Sequence, residues 1–443
     1  MLNIGIGRQI ERVFPGSIQT LAKITGYLSK SGRDRRVATK HAQTAEAAAA
    51  ADDAEIMSRA EAILAEAISL GRDGNFTIVP SVFPVSATDN CNLACIMCPG
   101  HTGMKGPALT FEQAEGIFAS LNSNRASFGK PVYLDVTAGE ATLNRDLHRV
   151  FKSFRERFPE ATISVITNAT LPLRGRVTEI FEHATAVAIS IDGATKESYE
   201  RIRRGSRFEN VIRNAKDICA LKDGNVQVIF VAMDQNIAEM AAMVRLCSEI
   251  GAKQLIIQGV EQGSSPFLRE GDSMAFDAPA ELLKKYLVEA QLEADRLGIM
   301  FSPTPGVRDK ANTSPISTVE KRDPIEARKA WLQGVKMCHV PWTIAPRMNH
   351  TGDKLTPTRA CCHMPGNKIG IGGFREEFAD MPVGELYNSQ RYWDIRQGLL
   401  DGSISRDACK GCQYADSYQW TAAQLREIEA GIEQAKSMGT EAA

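Results

Sequence analysis

Neither sign of charge dominates this chain. Its 52 lysines and arginines against 53 aspartates and glutamates leave a formal net charge of -1. That balance argues against a protein that coats nucleic acid, whose surface would be strongly basic. No apolar run reaches the roughly 20 residues that a transmembrane helix needs. No charged n-region, apolar h-region and small-residue cleavage site open the sequence. These absences set the expectation of a cytoplasmic protein, a compartment in which disulfides are rare. The ten cysteines are then read as metal ligands, catalytic thiols or core residues. There is no internal repeat. The glycines of "GNKIGIGGF" resemble half a dinucleotide fingerprint, but no helix or βαβ unit follows, so they read as a turn.

What is present is a chain of 443 residues, 43% hydrophobic and 24% charged, which suits a large catalytic domain with a satellite. Three regions are expected. Residues 1–76 form a helical extension. Its "AQTAEAAAAADDAEIMSRAEAILAEAISL" stretch repeats Ile56, Ala60, Ile63, Leu64, Ala67 and Ile68 at helical spacing. The basic stretch before it is interrupted by Pro15-Gly16; it reads as packing on the main domain, with contact to a membrane surface as the lesser alternative.

Residues 77–303 alternate short apolar runs with amphipathic helices: "VFPVSA", "VYLDV", "ISVIT", "AVAISI", "VQVIFVAM" and "QLIIQG" each read as a buried strand. Six such alternations specify an α/β fold, a parallel sheet with helices outside. Chemistry on such sheets gathers at the C-terminal strand ends. Beyond Pro303, "SPTPGVRDKANTSPISTVEKRDP" reads as a linker, so 304–443 is taken as linker, small domain and terminal helix.

The loop after the first strand, "CNLACIMCPG", spaces Cys91, Cys95 and Cys98 as C-x3-C-x2-C. Structural zinc takes four protein ligands, commonly from two C-x2-C knuckles. A cube of four irons and four sulfides held by three cysteines keeps one iron open to an outside ligand. Zinc or chance spacing stays as the alternative.

On these residues the sequence resembles the radical S-adenosylmethionine enzymes, whose hallmark is this cysteine spacing after the first strand of a partial (β/α)6 barrel. "VTAGEATLNRDL" is similar to their Gly-Gly-Glu-Pro segment, with Gly139 and Glu140 as the central pair, and "ITNAT", carrying Asn168, to their Thr-Asn-Gly segment. "SIDGATKESYERIRRGSRFENV" resembles the stretch after the fourth strand, where Ser190 and Asp192 would face the cofactor's ribose or carboxylate. Ala138 and Ala141 stand where the family has Gly and Pro, and Met97 where an aromatic is frequent. The resemblance implies a 4Fe-4S cluster on Cys91, Cys95 and Cys98 that binds S-adenosylmethionine, with Gly139, Glu140, Asn168, Ser190 and Asp192 around that cofactor. A reduced cluster would split the sulfonium and give a 5'-deoxyadenosyl radical that abstracts a substrate hydrogen.

"MCHVPWTIAPRMNHTGDKLTPTRACCHMPG" and "ACKGC" resemble the auxiliary-cluster domain of this superfamily, called SPASM or, in its shorter form, twitch. That implies one auxiliary 4Fe-4S cluster on Cys338, Cys361, Cys409 and Cys412, with Cys362 as rival to Cys361 and a zinc ribbon as the alternative. Cys219 and Cys247 fall on apolar helix faces and read as core. His101 lies close to the cluster loop, and one of Arg201, Arg203 and Arg204 could contact a carboxylate or ribose, although each reads first as a solvated charge.

The expected function is a radical S-adenosylmethionine oxidoreductase of dehydrogenase or epimerase type. Because the N-terminus reads as helical, a sugar-like or aminocyclitol substrate is expected ahead of a peptide; a peptide maturase is the alternative. The expected electron donor is of flavodoxin or ferredoxin type. A non-catalytic iron-sulfur electron-transfer or sensor protein is the rival of another class.

Overall fold

Between residues 82 and 303, β-branched strand runs alternate with helices whose apolar residues recur every three or four positions, and each helix covers the strands beside it. The computed structural model describes residues 52–98, 106–120, 127–129, 133–260, 265–312, 342, 347–351, 354–359, 382–401 and 420–441. Cys338, Cys361, Cys362, Cys409, Cys412, His101, the basic N-terminal stretch and the "GNKIGIGGF" turn lie outside the described residues. Residues 1–59 and 60–443 group as two units.

The larger unit is an α/β partial barrel. Its parallel strands are β1 (Val82–Ser86), β2 (Tyr133–Thr137), β3 (Thr162–Thr167), β4 (Ala186–Ser190), β5 (Val226–Ala232), β6 (Gln254–Gly259) and β7 (Met300–Pro303). They lie in the order β7-β6-β5-β4-β3-β2-β1, every neighbouring pair parallel. A hairpin of β8 (Arg347–Thr351) and β9 (Lys354–Arg359) continues the sheet beside β1. Around it run α2 (Phe111–Ala119), α3 (Leu147–Arg157), α4 (Arg176–His183), α5 (Lys196–Ile202), α6 (Phe208–Leu221), α7 (Met240–Ile250) and α8 (Ala280–Leu297), after α1 (Ala60–Arg72) at the start of the unit. Ile163, Val165, Val187, Ile189, Val228, Phe230, Leu255 and Ile257 point at the helices and form one core with Phe151, Phe154, Ile180, Ile218 and Val244. Cys219 and Cys247 belong to this core.

The six strands expected from the sequence are all present, and β7 adds a seventh. The segment read as linker opens in a helix, α9 (Pro305–Asn312). Pro305 sits at its first position, where the missing N–H costs nothing, and Val307 and Ala311 join the core.

Three further helices among the described residues lie near the N-terminal ends of β1 and β2. They are α10 (Val383–Tyr387), α11 (Gln390–Asp401) and α12 (Ala422–Glu441), and α1 packs on α11 and α12. Ile63, Leu64, Ala67 and Ile68 of α1 are buried. Gly71 lies so close to Trp393 that a Cβ there would enter the indole. Arg396 is fully buried among Tyr387, Tyr392, Trp393 and Trp342, its guanidinium 4.4 Å from the Trp393 ring centroid and donating to the Tyr387 carbonyl at 2.8 Å. Burial pulls it down to about 10, opposed by the two tyrosines, so it stays charged at neutral pH and the aromatic faces balance a desolvated cation. Asn388 completes the join, accepting from the Ile78 amide at 2.7 Å and donating to its carbonyl at 3.0 Å. This end is scaffold; every candidate residue for chemistry within the described residues sits at the opposite rim.

Candidate active site

Because all seven strands are parallel, the loops leaving β1 to β6 meet at one rim. The loop after β1 carries Cys91, Cys95 and Cys98, and its shape comes from short polar residues. Asn90 donates from Nδ2 to the Gly106 carbonyl at 2.8 Å and accepts from the Gly106 amide at 2.6 Å. Asn144 donates to the carbonyls of Ala87 (2.7 Å) and Leu109 (2.9 Å). Ile96 is buried against Ile202 and Met233, with Met97 and Val260 packed beside them. Residues 94–95 pair antiparallel with 204–203, which puts Cys95 directly opposite Arg203.

The loop after β2 is drawn onto the same rim. Gly139 has φ 55°, and a Cβ there would collide with the carbonyl oxygens of Thr88 and Asn90. Only glycine lets the two loops touch, and the contact is sealed by the Glu140 amide donating to the Asn90 carbonyl at 2.7 Å. Ala138 also has positive φ, 77°, and Ala169 after β3 has 54°. Alanine is strained in this region by roughly 1–2 kcal/mol. Part of that relief is offset because glycine adds unfolded-state entropy, so Ala138→Gly is expected to stabilise the fold by about 1 kcal/mol. Equilibrium urea unfolding checks this; an unchanged or lower midpoint would contradict it.

Glu140 is 1% exposed. Its carboxylate accepts from Thr142 (Oγ1 at 2.6 Å, amide at 3.2 Å), Thr167 Oγ1 at 2.7 Å and the Asn168 amide at 2.6 Å. Glu140 therefore fixes the β2 and β3 loops to each other, and its carboxylate is fully engaged in doing so. Asn168 in turn donates from Nδ2 to Asn92 Oδ1 at 3.1 Å and points the same N–H group at Cys91 Sγ, 4.0 Å away. Its Oδ1 accepts from the Thr170 hydroxyl at 2.7 Å, and Asn92 Nδ2 donates to that hydroxyl at 2.8 Å.

Ser190 ends β4, half-buried, on the face away from the helix-packed Ile189. Asp192 is placed differently from the expectation that it faces a cofactor's ribose or carboxylate. It is 0% exposed, accepting from Arg203 Nε at 2.6 Å and from the Val231 amide at 2.7 Å. Arg203 extends Nη1 to 3.9 Å from Cys95 Sγ. The neighbouring Arg204 pairs with Asp272 and donates to the Phe267 carbonyl at 2.8 Å, tying the loop after β6 to the same rim. Arg201 bonds Gln235 at 3.0 Å.

Burial governs the thiols. It pushes Cys91 up, and Cys95 up to about 12, with Arg203 pulling both back. Such thiols are poor free nucleophiles, and they suit ligands whose protons a metal displaces on binding. Burial likewise pushes the Asp192 carboxyl up while Arg203 and the Val231 amide pull it back; Arg203 stays charged because Asp192 and Cys95 outweigh its own burial. Among the described residues no three His, Cys, Asp or Glu side chains converge on a point that could hold one ion. A cluster asks something else, that each thiolate reach its own iron. Three cysteines on one pinned loop, with N–H groups aimed at two of the sulfurs, fit a cluster with one open iron.

The structure thus brings Cys91, Cys95, Cys98, Gly139, Glu140, Asn168 and Ser190 to one rim and buries Asp192 behind it. Sequence reasoning missed Asn92, Thr170 and the identity of the arginine that matters. Three arginines within four residues look alike as letters; only the pairing of 203 with 95 separates them.

The Radical SAM superfamily profile matches residues 85–247, the segment that holds this rim. A probable GTP 3',8-cyclase of Methanocaldococcus jannaschii is 28% identical over 178 residues, 39% of this chain and 57% of the cyclase. The mycofactocin maturase MftC of Mycobacterium tuberculosis is 27% identical over 172 residues, 37% of this chain and 40% of the maturase. The chain therefore spans about half the length of these curated relatives. Among solved structures, Streptococcus suis SuiB bound to S-adenosylmethionine superposes with a TM-score of 0.51 at 15% identity, covering 77% of this chain and 75% of SuiB, a likeness of fold. SuiB is also solved bound to its precursor peptide SuiA, with a TM-score of 0.49. The sequence relatives correct the expectation of a sugar-like substrate. A maturase stands among the sequence relatives, and neither it nor the cyclase is named for a sugar or an aminocyclitol. That expectation leaned on reading the N-terminus as helical, which says nothing of what enters the rim.

Proposed function

We propose that this chain, whose barrel belongs to the radical SAM superfamily, is a radical S-adenosylmethionine maturase that modifies a peptide. One observation carries the enzymatic part: a three-cysteine loop pinned at the C-terminal rim of a parallel sheet, beside the Gly139–Glu140 and Asn168 loops. The likeness to a maturase supports the peptide.

In this reading Cys91, Cys95 and Cys98 hold a 4Fe-4S cluster, and S-adenosylmethionine lies against the Gly139 backbone and Ser190. When bound, this pair supplies a 5'-deoxyadenosyl radical for hydrogen abstraction. The chain's own residues do the positioning. Glu140 keeps the β2 and β3 loops in register, and the polar ties around Asn90 and Asn144 hold the cysteine loop in shape. Cys338, Cys361, Cys409 and Cys412 are read as ligands of one auxiliary cluster, which suits an oxidoreductase that must take an electron from the substrate. A flavodoxin- or ferredoxin-type protein is the proposed reductant of the first cluster.

The test is anaerobic turnover of the reconstituted protein with S-adenosylmethionine and a reductant. Its separate arms hold short peptides encoded beside the gene, GTP, and a panel of sugars and aminocyclitols. Mass spectrometry of the peptide arm should show a product two mass units lighter, formed together with 5'-deoxyadenosine. Turnover confined to the GTP or sugar arm would sink the peptide reading while leaving the radical chemistry standing.

A further inference from the structure

Behind the proposed ligand Cys95 lie Arg203 and Asp192, two charged residues that the proposed function does not use. The carboxylate is 0% exposed, the arginine 8% and the cysteine 8%. Taking a guanidinium and a carboxylate out of water is costly, and an ion pair alone commonly fails to recover the cost. Here the pair lies directly behind one of the three cysteines of the pinned loop. The guanidinium presents its donors in a rigid fork, and the two ends of the fork are spent differently. Nε donates to Asp192 at 2.6 Å, and Nη1 reaches Cys95 Sγ at 3.9 Å. Asp192 is itself fixed by the Val231 amide at 2.7 Å, and its carbonyl accepts from Asn236 at 3.0 Å. Backbone pairing of Cys95 with Arg203 sets the spacing. Cys91 meets neutral N–H groups instead, from the Asn168 side chain at 4.0 Å and from the Leu93 backbone.

We infer that Arg203, aimed by Asp192, is a positioning residue that sets the reduction potential of the cluster through the Cys95 sulfur. This rests on the proposed reading that Cys91, Cys95 and Cys98 hold a cluster. Reduction adds one electron from a low-potential donor and no proton, so the cluster and its thiolates become more negative by one charge. A buried cation with an N–H aimed at the sulfur stabilises that reduced form more than the oxidised one, and hydrogen bonds to cluster sulfurs are among the groups that set such potentials. Lysine keeps the charge but lacks the fork, so it cannot serve Asp192 and Cys95 together.

The experiment is an anaerobic titration of the full chain with titanium(III) citrate, following the reduced cluster by electron paramagnetic resonance, on wild type, Arg203→Gln and Arg203→Lys. Wild type and variants are compared in a background lacking Cys338, Cys361, Cys409 and Cys412, so that a single cluster is read. At fixed potential Arg203→Gln should lower the ratio of reduced to oxidised cluster about tenfold, which for one electron is about 59 mV. Arg203→Lys should fall between, about threefold down. If the Gln variant leaves Asp192 uncompensated and does not load, the Lys variant decides. Ratios unchanged from wild type in the variant that loads would overturn the inference. A wild-type protein that forms no cluster on these cysteines would overturn the reading beneath it instead, so the two failures are distinct.

Discussion

With Cys91, Cys95 and Cys98 all changed to alanine, the protein is expected to fold and to produce no 5'-deoxyadenosine after anaerobic reconstitution. The loop does not depend on its sulfurs for shape. Asn90 ties it to Gly106, the Glu140 amide to the 88–90 turn, and Ile96 to the pocket of Ile202 and Met233. Only Cys95 of the three is buried, so the change removes little packing. The loss of ligands is another matter. Removing a mere supporting residue of a metal site costs about 10–100-fold in affinity or activity, and here three direct ligands go at once. Cleavage of S-adenosylmethionine should fall by more than about a hundredfold on that scale. If the proposed auxiliary set binds its own cluster, about half the iron remains, since each reading places one four-iron cluster on each set. Full iron retention would remove the loop from the cluster assignment.

Glu140→Ala is expected to have the second largest effect, on stability first and cofactor binding next. Four donors converge on the carboxylate: the Thr142 amide and hydroxyl, the Thr167 hydroxyl and the Asn168 amide. Hydroxyls can turn to other acceptors, but the two amides cannot. Each buried amide left without a partner costs about 1–3 kcal/mol, and truncation of a buried Glu side chain adds a cavity term. The sum is about 3–5 kcal/mol, near the top of the range for a single substitution. Glu140→Gln keeps the shape and one acceptor but turns an NH2 toward a donor, so about half that loss is expected. Urea unfolding of the two variants checks the order. If Glu140→Ala loses less than about 1 kcal/mol, as a solvated surface side chain would, the carboxylate does not join the two loops.

The strand-helix alternation was legible because buried parallel strands announce themselves as continuous apolar runs. α1 was legible because Ala60, Ile63, Leu64, Ala67 and Ile68 keep a helical period, and all five are buried. β7 was not. Its four residues, "MFSP", follow α8 after only Gly298 and Ile299 and end at a proline, so their run is too short for periodicity to separate strand from loop. α9 was hidden inside the Pro-, Ser- and Thr-rich stretch read as a linker, where Pro305 proves to be a helix start. At the site, residue type and order located the rim, because chemistry must lie at the C-terminal strand ends. Direction was not available from letters. Asp192 follows β4 closely and looks free to meet a ligand, yet it points into the core at Arg203. Glu140 looks like a cofactor contact, yet its carboxylate is spent on Thr142, Thr167 and Asn168.

The central claim is that this rim performs radical chemistry on S-adenosylmethionine. The most direct measurement is 5'-deoxyadenosine by mass spectrometry, from the reconstituted wild-type protein and the triple cysteine variant, each given S-adenosylmethionine and dithionite without air. The account predicts 5'-deoxyadenosine from the wild type, with reductant required, and none above background from the variant. A wild-type protein with a full cluster that forms no 5'-deoxyadenosine, or a variant that forms as much as the wild type, would contradict it.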